Sequence, residues 1–204
     1  MSKNLALPLE LDFKKSYSVG DDSVTSLRTF SSYSFDRSLL TPASAFRFTA
    51  PGIDKDVRLK IRSGDLVQLY ARNQEGSIKS VATGFIDETD THVIPNNVEY
   101  VLTGRDTIGQ LIDNSLLRVV NETSFTMKQI LAFLIKDTRI PQGFIEQQVP
   151  NGRLLFQSNP GETKLNCLQR FLEYTNTLIW SQPNGQLVIG KPNFTQDKSG
   201  SLIC

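Results

Sequence analysis

The sequence predicts an α+β fold: a small antiparallel β-barrel domain, followed by an α+β domain with two helices and a β-hairpin. Three observations carry that prediction. Between Val24 and Thr103, short runs rich in β-branched and aromatic residues alternate with closely spaced turn signals, the pattern of a small barrel. From Met127 onward the apolar residues switch to helical spacing. Farther on, Pro183-Asn-Gly185 separates two short apolar runs, which marks a hairpin.

Each element has its own justification. Val24 to Arg37 is Ser/Thr-rich with Phe30, Tyr33 and Phe35, and Ala45 to Thr49 is a second extended segment. Val57 to Arg62 alternates apolar and basic residues, which reads as a strand with Arg58, Lys60 and Arg62 on one face. Ser63-Gly-Asp65 turns the chain into a strand from Leu66 to Ala71. After a turn at Asn73 to Gly76, Ile78 to Asp87 is the next strand, and Gly84 within it marks a bulge or a close backbone approach. Val98 to Thr103 follows a polar loop, and the barrel is expected to span residues 1–104, with the α+β domain over 105–204. Met127, Ile130, Leu131, Leu134 and Ile135 fall on one helical face. Thr126 as N-cap with Gln129 forms a capping box, Phe125 staples against Ile130, and Pro141 ends the helix near Asp137 to Arg139. A second helix runs from Thr163 to Thr175, with Asn176 suited to a left-handed cap. Thr177 to Ser181 and Gln186 to Ile189 form the hairpin.

Composition removes several function classes. The 22 Lys+Arg and 21 Asp+Glu nearly cancel and are evenly spread over the two halves, unlike the basic excess of a dedicated nucleic-acid binder. No run approaches the roughly 18 apolar residues of a membrane span, and Glu10 and Asp12 interrupt the N-terminal apolar stretch, so neither a signal peptide nor membrane insertion is expected. Cys167 and Cys204 cannot build a disulfide framework, which suits synthesis in a reducing cytoplasm.

Gly185 to Lys191 opens like a phosphate-binding loop, but Pro192 replaces the magnesium-binding hydroxyl and Leu187, Val188 and Ile189 read as strand. His92 is the sole histidine. Asp87, Glu88 and Asp90 before it read as a solvated turn, against the alternatives of a cation site or paired carboxylates. Cys167 sits among helical core positions as a buried, inert thiol. Trp180 reads as a core or sheet-surface anchor. Arg58, Lys60 and Arg62 form either a solvated face or a contact surface for DNA or another subunit. No catalytic residue, cofactor or metal is expected.

Thr83-Gly-Phe-Ile-Asp87, Tyr100-Val-Leu-Thr-Gly-Arg-Asp106 and Gly109 to Ser115 occur in succession. Leu39 to Phe46 and Ile61 to Val67 precede them, and Gly161 to Thr163, Leu168 to Leu172, Leu178 to Ser181 and Asn184 to Ile189 follow. This ordered set resembles the Mu-like phage tail proteins that form the central hub of contractile-tail baseplates. The resemblance implies a non-enzymatic homotrimer joining the tail tube protein to the central spike protein. It further implies a conduit for DNA in transit, baseplate wedge components as neighbours, and a place in the virion after assembly in the bacterial host cytoplasm. Gly84, Gly104, Arg105 and Asp106 become its structural motif, with Gly104 ending its strand in a conformation other residues resist and Asp106 capping the helical turn toward Ile112. Members of the family are commonly longer, so a second, ring-completing barrel domain is expected beyond this chain. The rival expectation is a glycan or cell-wall-binding tail module, or a weak hydrolase using Asp87, Glu88 and Asp90.

Overall fold

The computed structural model describes residues 9–14, 24–38, 41–52, 60–72, 77–95, 97–117, 123–140, 144–147, 149 and 152–191. Seven strands open the chain: β1 (Leu9–Lys14), β2 (Val24–Leu27), β3 (Ser32–Asp36), β4 (Ala45–Pro51), β5 (Leu66–Arg72), β6 (Ile78–Ile94) and β7 (Asn97–Asp106). They form one antiparallel sheet in the order β2-β1-β5-β6-β7-β4-β3. The edge strands β2 and β3 are consecutive in sequence. Laid flat, seven strands would separate them by about 29 Å, whereas the link from Leu27 to Ser32 reaches at most about 17 Å. The sheet must therefore curl, and it forms a half-barrel with Phe46, Phe48, Ala50, Val67, Leu69, Ala82, Ile86, Tyr100 and Leu102 buried on its inner side.

The rest is a mixed α+β body. It contains α1 (Gly109–Asp113), β8 (Thr123–Phe125), α2 (Met127–Ile135), β9 (Phe144–Gln147), β10 (Leu154–Phe156), α3 (Lys164–Thr175), β11 (Leu178–Ser181) and β12 (Leu187–Gly190). A second core gathers Ile130, Leu131 and Leu134 from α2, Leu165, Leu168 and Leu172 from α3, and Leu187 and Ile189 from β12. The capping box of α2 is present, with Thr126 Oγ1 accepting from Gln129 N at 3.3 Å and Gln129 Oε1 accepting from Thr126 N at 3.0 Å. Thr126→Ala is expected to cost about 1 kcal/mol, read as a lower urea midpoint with unchanged slope. Asn176 caps α3 in the left-handed region at φ 50°, as its short polar side chain allows.

Four expectations need correction. Lys60 is helical, Ile61 is buried and Arg62 leads into a turn, so Lys60 to Arg62 are no strand; Tyr100 Oη donates to Ile61 O at 3.4 Å, and Arg62 N donates to Asp65 Oδ2 at 2.8 Å, which draws the chain into the turn instead. Arg58 lies outside the described residues. The strand expected to end at Asp87 continues to Ile94, so Glu88 and Asp90 are strand residues; the bulges fall at Val81 and Asp87, and Gly84 meets the other expectation for it, a close backbone approach. Helix α2 stops at Ile135, because Thr138 donates to Ile135 O through both its backbone N–H, at 3.0 Å, and its hydroxyl, at 2.8 Å. Among the described residues after Gly104, Gly109–Asp113 is a five-residue helix where only a turn was expected.

Candidate functional site

The two densest motif segments are cross-strand partners. Gly84 pairs with Asp106, Phe85 with Arg105 and Ile86 with Gly104. On the other side of β7, Phe46 of β4 pairs with Gly104, and its ring lies across both glycines. A Cβ at Gly84 would lie 2.9 Å from Phe46 Cε1 and would collide with the Arg105 carbonyl oxygen; one at Gly104 would strike the Phe85 carbonyl oxygen and the Phe46 ring. The glycines are thus required by packing. Neither has a left-handed backbone, and β7 runs through Gly104 to Asp106, so the expected strand-ending role of Gly104 is replaced by that of a seat for Phe46.

Asp106 then joins the sheet to the α+β body. It is 3% exposed, and its carboxylate accepts from Ser44 N at 3.1 Å, Ile108 N at 3.0 Å and Ser181 Oγ at 2.8 Å, linking β4, the approach to α1 and β11. The capping role expected for it is met at Ile108 N; the formal N-cap of α1 is Ile108, which makes no side-chain cap bond. Around it the hairpin tip is clamped to the sheet. Thr83 Oγ1 donates to Pro183 O at 2.7 Å, Ser80 Oγ donates to the same oxygen at 2.8 Å, and Thr107 Oγ1 donates to Gly185 O at 3.0 Å. Gly185 is suited twice, by its φ of +82° and because a Cβ would lie 2.9 Å from Thr83 Cγ2. A cleft of about 250 Å³ borders this junction, lined in part by Arg37, Asp106 and the half-buried Trp180.

Arg105 bridges the strand bulge to α1. Its Nε and Nη2 donate to Asp87 at 2.7 and 2.9 Å, and its Nη2 and Nη1 donate to Asp113 at 2.7 and 3.2 Å. The Asp87 hydrogen bonds, seconded by Asp113, raise the guanidinium pKa above its ordinary value. A polar cleft of about 580 Å³ lies beside it, lined also by Ser63, Gly64, Asp137 and Arg139. Asp87 is therefore committed to Arg105, while Asp90 is held below its usual range by the Thr91 N–H and His92. The acidic trio consequently does not converge on one site. Among the described residues no His/Cys/Asp/Glu group is arranged to hold a metal ion. Burial raises the Cys167 thiol, as befits an inert core cysteine. The apparent phosphate loop is the buried strand β12.

Sequence reasoning named Gly84, Gly104, Arg105 and Asp106, and the structure brings them together. It assigned no junction role to Phe46, Thr83, Thr107 and Ser181, which complete the junction. The threonines could have been found as hydroxyls flanking both motif segments, whereas Phe46 carries no local signal. Lys60 and Arg62 are exposed and sit beside β6, where Ser63 Oγ donates to Asp87 O at 2.6 Å and Gly64 N donates to Ile86 O at 2.6 Å. Among the described residues no helix is long and apolar enough to cross a membrane.

No family model matches the chain, and no curated protein matches it. Solved structures do. The tail protein from Neisseria meningitidis MC58 aligns with TM-score 0.63 and 22% identity over 93% of this chain and 52% of that one. The 43 kDa tail protein of prophage MuSo2 from Shewanella oneidensis aligns with TM-score 0.66 and 19% identity over 91% and 56%. Prophage tail protein gp18 from Listeria monocytogenes EGD-e aligns with TM-score 0.55 and 11% identity over 95% and 56%. The chain spans about half the length of these structures. The fold implied by the motif order is the fold the chain has: that of phage tail proteins.

Proposed function

We propose that this chain is a structural, non-enzymatic subunit of a phage or phage-like tail baseplate. In this reading it forms a homotrimeric hub that joins the tail tube protein to the central spike protein, borders wedge components and passes DNA in transit. Residues 1–104 serve as the tube-type barrel and residues 105–204 as the attached α+β domain. The observation that supports it is the junction itself. The motif residues that carry the family resemblance are spent on seating Phe46 and on fixing one body to the other through Asp106, with their polar groups satisfied internally. A load-transmitting part needs such fixed, rigid coupling, whereas a catalyst needs polar groups turned toward a reactant. Its place is then the virion, after assembly in the bacterial host cytoplasm. Imaging tail particles produced with and without the gene tests the proposal.

A further inference from the structure

Pro-Asn-Gly occurs twice in the chain, at residues 150–152 and 183–185. Asparagine followed by glycine is the dipeptide most prone to lose its side-chain amide without an enzyme, because glycine does not shield its backbone nitrogen and lets it swing onto the asparagine side chain. Asn184-Gly185 stands at the tip of the β11–β12 hairpin, which is clamped to the sheet at the junction. There Asn184 is exposed to water, whereas Gly185 is buried. Each atom the reaction needs is held. The nucleophile, Gly185 N, donates its hydrogen to Gln182 O at 2.8 Å. The oxygen of the target carbonyl, Asn184 Oδ1, accepts from Gln186 N at 3.1 Å, and the leaving nitrogen, Nδ2, donates to Gln186 Oε1 at 3.0 Å. On either side of Asn184 the backbone is fixed to the sheet: Pro183 O accepts from Thr83 and Ser80, and Gly185 O accepts from Thr107. The rotation that carries Gly185 N onto Asn184 Cγ therefore requires the turn to leave the sheet.

We propose that Asn184 is a deamidation site gated by this junction: while the hairpin is docked the residue stays an amide, and release of the hairpin converts it, in one direction, into an acid. In the released turn Gly185 N gives up its proton and attacks Asn184 Cγ. The new C–N bond closes a succinimide ring, and the Nδ2 group leaves with a proton as ammonia. Water then opens the ring. Cleavage of the Cγ–N bond gives aspartate, and cleavage of the bond between the backbone carbonyl carbon and nitrogen gives isoaspartate, whose main chain runs through Cβ and Cγ. No electrons are exchanged, and water is the sole co-reactant. Isoaspartate lengthens the main chain by one atom between Pro183 O and Gly185 O, both of which must reach fixed donors on the sheet, so the hairpin does not regain its place. The site does not depend on the tail role.

The test is peptide mapping by liquid chromatography and mass spectrometry of the intact chain after incubation in mildly alkaline buffer, native and unfolded in urea. In urea Asn184 is expected to convert to aspartate and isoaspartate. In the native chain it is expected to convert at least about tenfold more slowly, because several hydrogen bonds must break together. Thr107→Val keeps the side-chain shape and removes the hydroxyl that Gly185 O accepts from; it is expected to raise the native rate about fivefold and to leave the rate in urea unchanged. Ser80→Ala, at the sheet surface, is expected to give a smaller rise and keeps the test open if Thr107→Val does not fold. Chains aged until residue 184 is isoaspartate are expected to exchange their β11 and β12 amide hydrogens faster than fresh protein. An Asn184 that does not convert in urea, native conversion as fast as in urea, a native rate indifferent to both substitutions, or unchanged exchange in the isoaspartate chain would each overturn the proposal.

Discussion

Replacing Gly104 with alanine is expected to destabilise the protein by about 3 kcal/mol or more. Oversized side chains in close-packed sheets are costly when the obstructing atoms belong to backbone, because backbone cannot rotate away. At Gly104 the obstructions are the Phe85 carbonyl oxygen and the Phe46 ring, itself wedged against Gly84 and 5.5 Å from the Phe48 ring centre. Either the β6–β7 ladder opens or Phe46 leaves the core, and both cost more than a rotamer change. For a chain of this size the loss corresponds to a melting temperature lower by about 6–12 °C. Gly84→Ala should behave alike, since the Arg105 carbonyl oxygen stands in its way. Gly152→Ala is the control: nothing lies within 4 Å of its Cβ position, and a change within about 0.5 kcal/mol is expected. Thermal unfolding followed by circular dichroism reads all three.

Asp106→Ala is the second large effect, expected at about 3 kcal/mol or more because it strips the acceptor from three donors at a buried position. Ser44 N, Ile108 N and Ser181 Oγ would each lose its carboxylate partner. Asp106→Asn discriminates between charge and geometry. Both carboxylate oxygens receive donors, so an amide must turn its NH₂ toward one of them, and the substitution is expected to cost about 1–3 kcal/mol. The damage should be local at first. Hydrogen exchange is expected to rise in β11 and β12, which lose one of their ties to the sheet at Ser181, before it rises in β5 and the rest of the barrel. An asparagine variant as stable as wild type would contradict this reading of the junction.

Much of the architecture was legible because local and tertiary demands agree. Thr126 with Gln129, Thr163 before α3, Asn176 after it and Pro183-Asn-Gly185 are local devices, and each appears where its chemistry requires. What escaped was set by distant partners. Val57 to Arg62 alternates faultlessly, yet Ile61 O takes the Tyr100 hydroxyl and the following turn is held by Asp65, so contacts override the period at Lys60 to Arg62. Asp87, Glu88 and Asp90 read as a solvated turn because acidic residues crowd the end of an apolar run; Glu88 to Ile94 are strand because the ladder to β7 holds them. β8 and β10, three residues each, and the four-residue β9 beside β12 are too short to carry a period. At the junction, two glycines and an aspartate stood out by spacing, but Phe46 is 58 residues from Gly104, and only the sheet order β6-β7-β4 brings them together.

The measurement closest to the central claim is cryo-electron microscopy of tail particles made with and without this gene. The account predicts that complete particles carry the curled seven-stranded sheet in threefold-related copies between tube and spike, and that particles made without the gene lack this layer. Complete tails assembled in its absence, or purified tails that never contain the chain, would contradict it.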